Sequence, residues 1–202
     1  MLAGSARRLP HDAVVVRQGE PSTTLFLVER GAMRLSSVTA DGRELVVAVL
    51  GSGDVFGEAA MLEERSPVDA RAVGETTVIA FDVAALPLVF RQAPATGAEL
   101  LRLVASRLHR TERALGDALT SDLATRIAGR LRELGERHGV RHPDGIHLTI
   151  PLTQDELARM VGASREAVNR SLRGLADADL VRTGRAGVVI TDPDALERAS
   201  SP

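Results

Sequence analysis

Residues 152–170 read LTQDELARMVGASREAVNR and predict two short helices joined by a tight turn. Thr153 and Glu156 have the spacing of a capping box, which starts the first helix. Gly162 is placed to end that helix, since glycine adopts the left-handed conformation common after a helix. Ser164 can then cap the second helix. The stretch therefore predicts a helix-turn-helix.

The second of these helices has two chemically different faces. Val168, Leu172 and Leu175 share the face that must pack inward. The opposite arc carries arginine, which pairs with guanine O6 and N7, and glutamate, which accepts from cytosine N4. The residues of this arc are Arg165, Glu166, Asn169, Arg170 and Arg173. A merely solvated face is the alternative, but caps, turn and apolar spacing agree on a helix that reads double-stranded DNA.

A hairpin follows the two helices, between Leu180 and Ile190, with its turn near Gly184 and Gly187. Its arginines are placed to contact phosphates, as wing residues do. The full set of predicted DNA-binding residues is Ser164, Arg165, Glu166, Asn169, Arg170, Arg173, Arg182 and Arg185.

Upstream, a long helix begins near Pro94 and carries a heptad of apolar residues. Its positions are Leu101, Val104, Leu108, Thr111, Leu115 and Ala118. A narrow apolar stripe needs a partner, and a second copy of the chain is the simplest one, which predicts a homodimer. Arg107 and Glu112 fall at positions where an interchain ion pair can form. A second helix is predicted from about Asp122 to His138, then a polar loop from Gly139 to Gly145 and a short strand over 147–150.

Between Val14 and Phe81 the pattern is that of β-structure. Short apolar runs alternate with glycine turns, and Asp41-Gly42 between two such runs predicts a hairpin. Many short strands with regular glycines indicate a barrel or jelly-roll-like body.

Composition narrows the classes of function. The absence of cysteine excludes disulfides and thiolate-held clusters. A formal net charge of −2 argues against a protein that coats nucleic acid without specificity. No apolar run has the length of a membrane span, and the first ten residues lack the apolar core of a secretory signal. We therefore expect a cytoplasmic protein without a membrane partner.

These features together resemble the Crp/Fnr family of bacterial transcription regulators. The resemblance implies an α+β fold: an N-terminal double-stranded β-helix (a cyclic-nucleotide-binding-like β-roll) over 1–93, a dimerisation helix over 94–119 and a winged helix-turn-helix over 120–202. It also implies that Arg165, Glu166 and Arg170 contact a palindromic GTGA-type site. Dimer symmetry would then place the half-sites about 34–36 Å apart.

The same resemblance marks a contact with RNA polymerase, as an activator would make. The loop in question comprises His142, Pro143, Asp144 and Gly145. A plain polar turn is the alternative, because Pro-Asp-Gly is turn chemistry in any protein.

An effector pocket for cyclic AMP is implied as well, by Gly57, Glu58, Arg65, Ser66, Thr111 and Glu112. The segment from Met61 to Ala70 is shorter than in family members that bind cyclic AMP, and Pro67 replaces the usual alanine. Glu63, Glu64 and Asp69 would repel a phosphate. Ligand-independent control, or control by an unknown ligand, is therefore favoured over cyclic-AMP control, and no cofactor is assigned.

Two other classes of site receive little support. His138, His142 and His147 are close in sequence, but a structural zinc usually takes four ligands, often thiolates, so no metal is expected. A cupin-like enzyme would need histidines on the β-strands, and none occurs between Val14 and Phe81. A dimeric scaffold that does not bind DNA would leave the arginines of the second helix unexplained.

Overall fold

The computed structural model describes residues 4–62, 65–184 and 187–200. The chain forms two compact units, and the division falls after His109, inside a long helix. The boundaries expected from the sequence lie at the two ends of that helix instead.

The first unit is built on antiparallel β-structure, as predicted. Its strands are β1 (Ser5–Leu9), β2 (Val14–Val16), β3 (Thr24–Val38), β4 (Glu44–Leu50), β5 (Val55–Phe56) and β6 (Asp69–Asp82). They form one sheet in the order β1-β6-β3-β4, with β2 also paired to β6 and β5 to β3. The predicted Asp41-Gly42 turn is confirmed, because it joins β3 to β4 where Val38 faces Glu44.

The core of this unit comes from the alternating side chains of the long strands. Phe26 on β3 stacks on Phe56 of β5 with ring centroids 4.9 Å apart. The paired strands β3 and β6 shift register near Gly31, which has φ +87°. A Cβ there would lie 2.6 Å from the carbonyl oxygen of Glu75, so only glycine lets β3 bend while it stays paired to β6.

Helices complete the first unit and lead out of it. A short 3-10 helix spans Glu58–Leu62, a second spans Val83–Ala85, α1 spans Leu86–Gln92 and α2 spans Pro94–Thr120. The long helix is thus confirmed. Leu101, Leu108 and Leu115 on its heptad are 69%, 57% and 62% exposed. Among the described residues, these three leucines of the stripe are therefore exposed to solvent.

The second unit combines helices with a small four-stranded sheet. Its elements are α3 (Leu123–His138), β7 (Gly139–His142), β8 (Gly145–Leu148), α4 (Gln154–Val161), α5 (Arg165–Asp177), β9 (Val181–Gly184), β10 (Gly187–Ile190) and α6 (Pro193–Ala199). The sheet has the order β7-β8-β10-β9. Ile127, Leu131 and Leu134 on α3 are buried, as their spacing predicts.

One expectation about the second unit is wrong, and one of its helices was not predicted. The segment 139–145 is not a loop, because Gly139–His142 pairs with Gly145–Leu148 and only the turn between them is irregular. An edge strand can carry exposed polar residues, which made β7 look like loop in the sequence. Helix α6 was not predicted, although Asp192 caps it and Pro193 opens it.

Among the described residues, no helix combines the length and apolar character that crossing a membrane requires.

Candidate nucleic-acid interface

The capping box at the start of α4 forms as the sequence predicts. The backbone N–H of Glu156 donates to Thr153 Oγ1 at 3.1 Å, and the backbone N–H of Thr153 donates to Glu156 Oε2 at 2.8 Å. The Thr153 hydroxyl also donates to that carboxylate oxygen at 2.9 Å. Glu156 is only 6% exposed, so these donors compensate the burial of its charge.

A short turn, residues 162–164, sets the angle between α4 and α5. Gly162 ends α4 with φ +66°, the left-handed conformation that favours glycine. Ser164 then caps α5, where its hydroxyl accepts from the backbone N–H of Ala167 at 3.2 Å. The helix-turn-helix predicted from residues 152–170 is therefore confirmed.

Helix α5 presents its two faces as expected. Val168, Leu172 and Leu175 are buried within the unit. Ser164, at the cap, and the side chains that the sequence assigns to base contact are exposed, with Asn169 the one exception. The exposed members of the arc are Arg165, Glu166, Arg170 and Arg173. Their exposure is observed, and their contacts with bases remain a prediction.

Asn169 has a partner inside the unit. Its amide donates to Gln154 Oε1 on α4 at 2.9 Å, and the residue is half-buried. This contact braces α5 against α4 and draws the amide away from solvent. Arg126 on α3 similarly donates to the carbonyl oxygen of Val161 at 3.1 Å, at the end of α4. Neither Gln154 nor Arg126 was found from the sequence, because both pairs join separate elements.

Hydrogen bonds and neighbouring charges favour the ionised form of Glu166. Its own backbone N–H and the Ser164 hydroxyl lower the pKa of Glu166, and Arg165 and Arg170 lower it further by their charge. The side chain therefore presents an acceptor, the form that cytosine N4 requires, with guanidinium groups beside it.

The wing, defined here as strands β9 and β10, carries a further basic residue of the predicted set. Arg182 Nη2 donates to Asp144 Oδ2 in the β7–β8 turn. His147 Nε2 donates to Asp144 Oδ1 at 2.8 Å. The predicted polymerase-contact turn and the predicted phosphate contact are thus joined by an ion pair. Arg185 lies outside the described residues.

Glu58, a residue of the predicted effector pocket, is held by an arginine of the same unit. Arg107 Nη1 donates to Glu58 Oε1 at 3.0 Å, and Arg107 Nη2 donates to the carbonyl oxygen of Val55. From the sequence, Arg107 was expected to pair with Glu112 of a second chain instead. That pair stays a prediction, and it would have to compete with the contact to Glu58. Gly57, with φ +85°, lets the chain pass the carbonyl oxygen of Thr24.

Two other residues of the predicted pocket, Arg65 and Ser66, form hydrogen bonds within the chain. Arg65 Nη1 donates to the carbonyl oxygen of Gly19 at 2.8 Å, and the buried Ser66 hydroxyl donates to that of Val68 at 2.7 Å. A cyclic nucleotide would have to compete with these bonds. Asp69 Oδ2 lies 3.5 Å from Arg71 Nη2, and the arginine offsets part of the negative charge of Asp69. Glu63 and Glu64 lie outside the described residues, and the roles of Thr111 and Glu112 stay predictions.

Within the ranges 4–62, 65–184 and 187–200, no three histidine, aspartate or glutamate side chains converge as metal ligands would.

Two models of known protein families match the chain, one in each half. The model of the cyclic nucleotide-binding domain matches residues 6–92. The model of the Crp-like helix-turn-helix domain matches residues 125–199. The first region covers most of the β-sheet unit, and the second contains the exposed arc on α5.

Two curated relatives match this chain over most of its length. A CRP-like cAMP-activated global transcriptional regulator of Mycobacterium tuberculosis is 32% identical over 190 residues, which are 94% of this chain and 85% of that protein. A global nitrogen regulator of Synechococcus elongatus is 30% identical over 189 residues, 91% of this chain and 84% of that protein.

Solved structures agree on the architecture. A transcriptional regulator of the CRP family from Thermus thermophilus superposes with a TM-score of 0.78 at 26% identity, covering 96% of each chain. FixK2 from Bradyrhizobium japonicum, at 20% identity, has a TM-score of 0.86 over 100% of this chain and 99% of that one. The second likeness concerns the fold alone.

The capping box generates a stability prediction. Thr153→Ala should lower the free energy of unfolding by about 1 kcal/mol, because α4 loses its cap and the buried Glu156 carboxylate loses a donor. Thr153→Ser, which keeps the hydroxyl, should retain most of that free energy. Urea unfolding followed by circular dichroism measures both, and equal losses for the two variants would contradict a capping role.

Proposed function

The chain belongs to the Crp/Fnr family of bacterial transcription regulators, and we propose that it acts in the cytoplasm as a homodimer on a palindromic GTGA-type site in double-stranded DNA. Each copy would place α5 in a major groove. One observation carries the proposal: Arg165, Glu166 and Arg170 are all exposed on α5, while its apolar face is buried.

The GTGA-type site is what the family resemblance implies, and the chemistry of this arc is compatible with it. An exposed guanidinium can form two hydrogen bonds with guanine O6 and N7, and an ionised glutamate can accept from cytosine N4. Arg165 and Arg170 supply the guanidinium groups and Glu166 supplies the acceptor. Arg173 and Ser164, at the edges of the arc, are proposed to contact phosphates, which orient the helix without reading sequence.

The dimer proposal rests on α2. Its heptad leucines are exposed over most of a 27-residue helix, which is long enough for a coiled coil of several turns. Pairing with a second copy would bury them and place two α5 helices on one duplex. Thr111, the polar member of the stripe, would help to set the register.

Activation through RNA polymerase is proposed for the β7–β8 turn. His142, Pro143 and Asp144 are exposed at its tip, where a partner protein could reach them. The same turn would serve as an ordinary hairpin connection if no partner bound there.

For control of activity, we favour an effector-independent regulator or one with an unidentified ligand. Glu58 and Arg65 already hold partners within the chain, so a cyclic nucleotide would have to displace them. Cyclic-AMP dependence is the second candidate, because the Mycobacterium tuberculosis relative is named as cAMP-activated and the cyclic nucleotide-binding domain model matches residues 6–92.

Base recognition is tested by fluorescence anisotropy with a labelled GTGA palindrome and a scrambled duplex. Arg165→Ala or Glu166→Ala should weaken cognate binding by about 1–3 kcal/mol per half-site and reduce the preference over the scrambled duplex. Arg198→Ala, which removes the same charge as Arg165→Ala from the exposed surface of α6, is the control. Parental affinity and selectivity in both α5 variants would refute the assigned roles.

Dimerisation through α2 is tested by replacing one stripe residue. Leu108→Asp should convert the dimer to a monomer, because it places a charge on the apolar stripe. Arg113→Asp introduces the same residue elsewhere on the exposed surface of α2 and should leave the dimer intact. Light scattering after size exclusion measures the mass, and a dimeric Leu108→Asp variant would place the interface elsewhere.

Effector dependence is tested by calorimetry with cyclic AMP on the purified chain. We expect no saturable heat up to millimolar concentration, because the charged pocket residues are engaged within the protein. Saturable micromolar binding that disappears in Glu58→Gln and Arg65→Gln variants would establish the cyclic-AMP alternative.

A further inference from the structure

We propose that Asp144 is an intramolecular competitor of DNA, holding the Arg182 guanidinium where a phosphate would otherwise bind and so weakening the binding of any duplex. The inference rests on the proposed function, because it needs a duplex that approaches the wing. It concerns affinity and not base preference, since a phosphate carries no information about sequence.

The Asp144 carboxylate is fixed from two sides. Its Oδ2 accepts from Arg182 Nη2, and its Oδ1 accepts from His147 Nε2 at 2.8 Å. The His142 ring packs on the His147 ring, with centroids 4.5 Å apart. Neighbouring side chains therefore restrain a carboxylate that sits in the tight turn between β7 and β8.

Strand pairing explains how residues so far apart in sequence meet. His147 on β8 lies opposite Val189 on β10, and Val189 lies opposite Arg182 on β9. Directly opposed residues direct their side chains to the same face of a sheet. His147 and Arg182 thus share a face, and the β7–β8 turn brings Asp144 to both.

The pair is positioned to exchange with a phosphate. The side chains of Arg182 and Asp144 are 56% and 46% exposed, so the guanidinium is accessible to an external anion. Exposed ion pairs are weak, and a phosphodiester of DNA carries the same single charge as the carboxylate and can accept the same hydrogen bonds from the guanidinium. Hydrogen bonds from His147 and Arg182 also lower the pKa of Asp144 to about 2, so the carboxylate competes at any physiological pH.

The consequence is a duplex affinity set below what the wing arginine alone would provide. Binding of a phosphate to Arg182 requires release of Asp144, and the lost ion pair offsets part of the gain. Removal of the carboxylate should therefore strengthen binding to all sequences alike, because Arg182 then enters the complex without an internal partner.

The test compares Asp144→Asn with Asp194→Asn by fluorescence anisotropy at neutral pH. Asp194 is an exposed residue in the first turn of α6, so its variant gains the same charge away from the wing. Asp144→Asn should bind the GTGA palindrome and the scrambled duplex about threefold to tenfold more tightly than Asp194→Asn, within the range of two exposed ion pairs per dimer. In an Arg182→Gln background the two aspartate variants should have equal affinities.

Three results would overturn the inference. If Asp144→Asn and Asp194→Asn bind with equal affinity, the effect of Asp144 is only that of its negative charge. If the two variants still differ in the Arg182→Gln background, the effect comes from a group other than Arg182. Weaker binding by Asp144→Asn would mean that the carboxylate orients Arg182 toward DNA. If the parent chain binds neither duplex at low salt, the proposed function fails and this inference with it, whereas the first three results leave the proposed function intact.

Discussion

Burial of the apolar face of α5 is the constraint on which the candidate interface depends. Val168, Leu172 and Leu175 are buried, and their removal from water fixes the rotation of the helix about its axis. Once that rotation is set, Arg165, Glu166 and Arg170 must face outward. Packing thus determines which side chains a duplex can meet, although none of the buried residues would touch DNA.

Hydrogen bonds at the helix ends add to the packing that positions α4 and α5. The capping box starts α4, the left-handed Gly162 ends it, and Ser164 caps the next helix. The Asn169–Gln154 hydrogen bond then joins α5 to α4 across the turn. Because each contact links neighbouring elements, several weak contacts together fix the orientation of α5, and no single strong bond does so.

In the predicted effector pocket and at the wing, charged side chains form ion pairs within the chain. Arg107 holds Glu58, and Asp144 holds Arg182. In both pairs one member was expected to bind an external ligand. A ligand that bound there would have to displace the internal partner, which would lower its net gain in free energy.

The sequence by itself determined the elements whose signals are local. These signals could be read because each depends on residues that are close in sequence. They are the caps at Thr153 and Ser164, the glycine after α4, the Asp41-Gly42 turn and the heptad of α2. Local signals failed at β7, where an exposed edge strand is as polar as a loop. Only tertiary structure decided the partners of Arg107, Asn169 and Arg182, which lie 49, 15 and 38 residues away. Such pairs form because packing and strand register bring distant backbone segments together, and no spacing in the sequence records that approach.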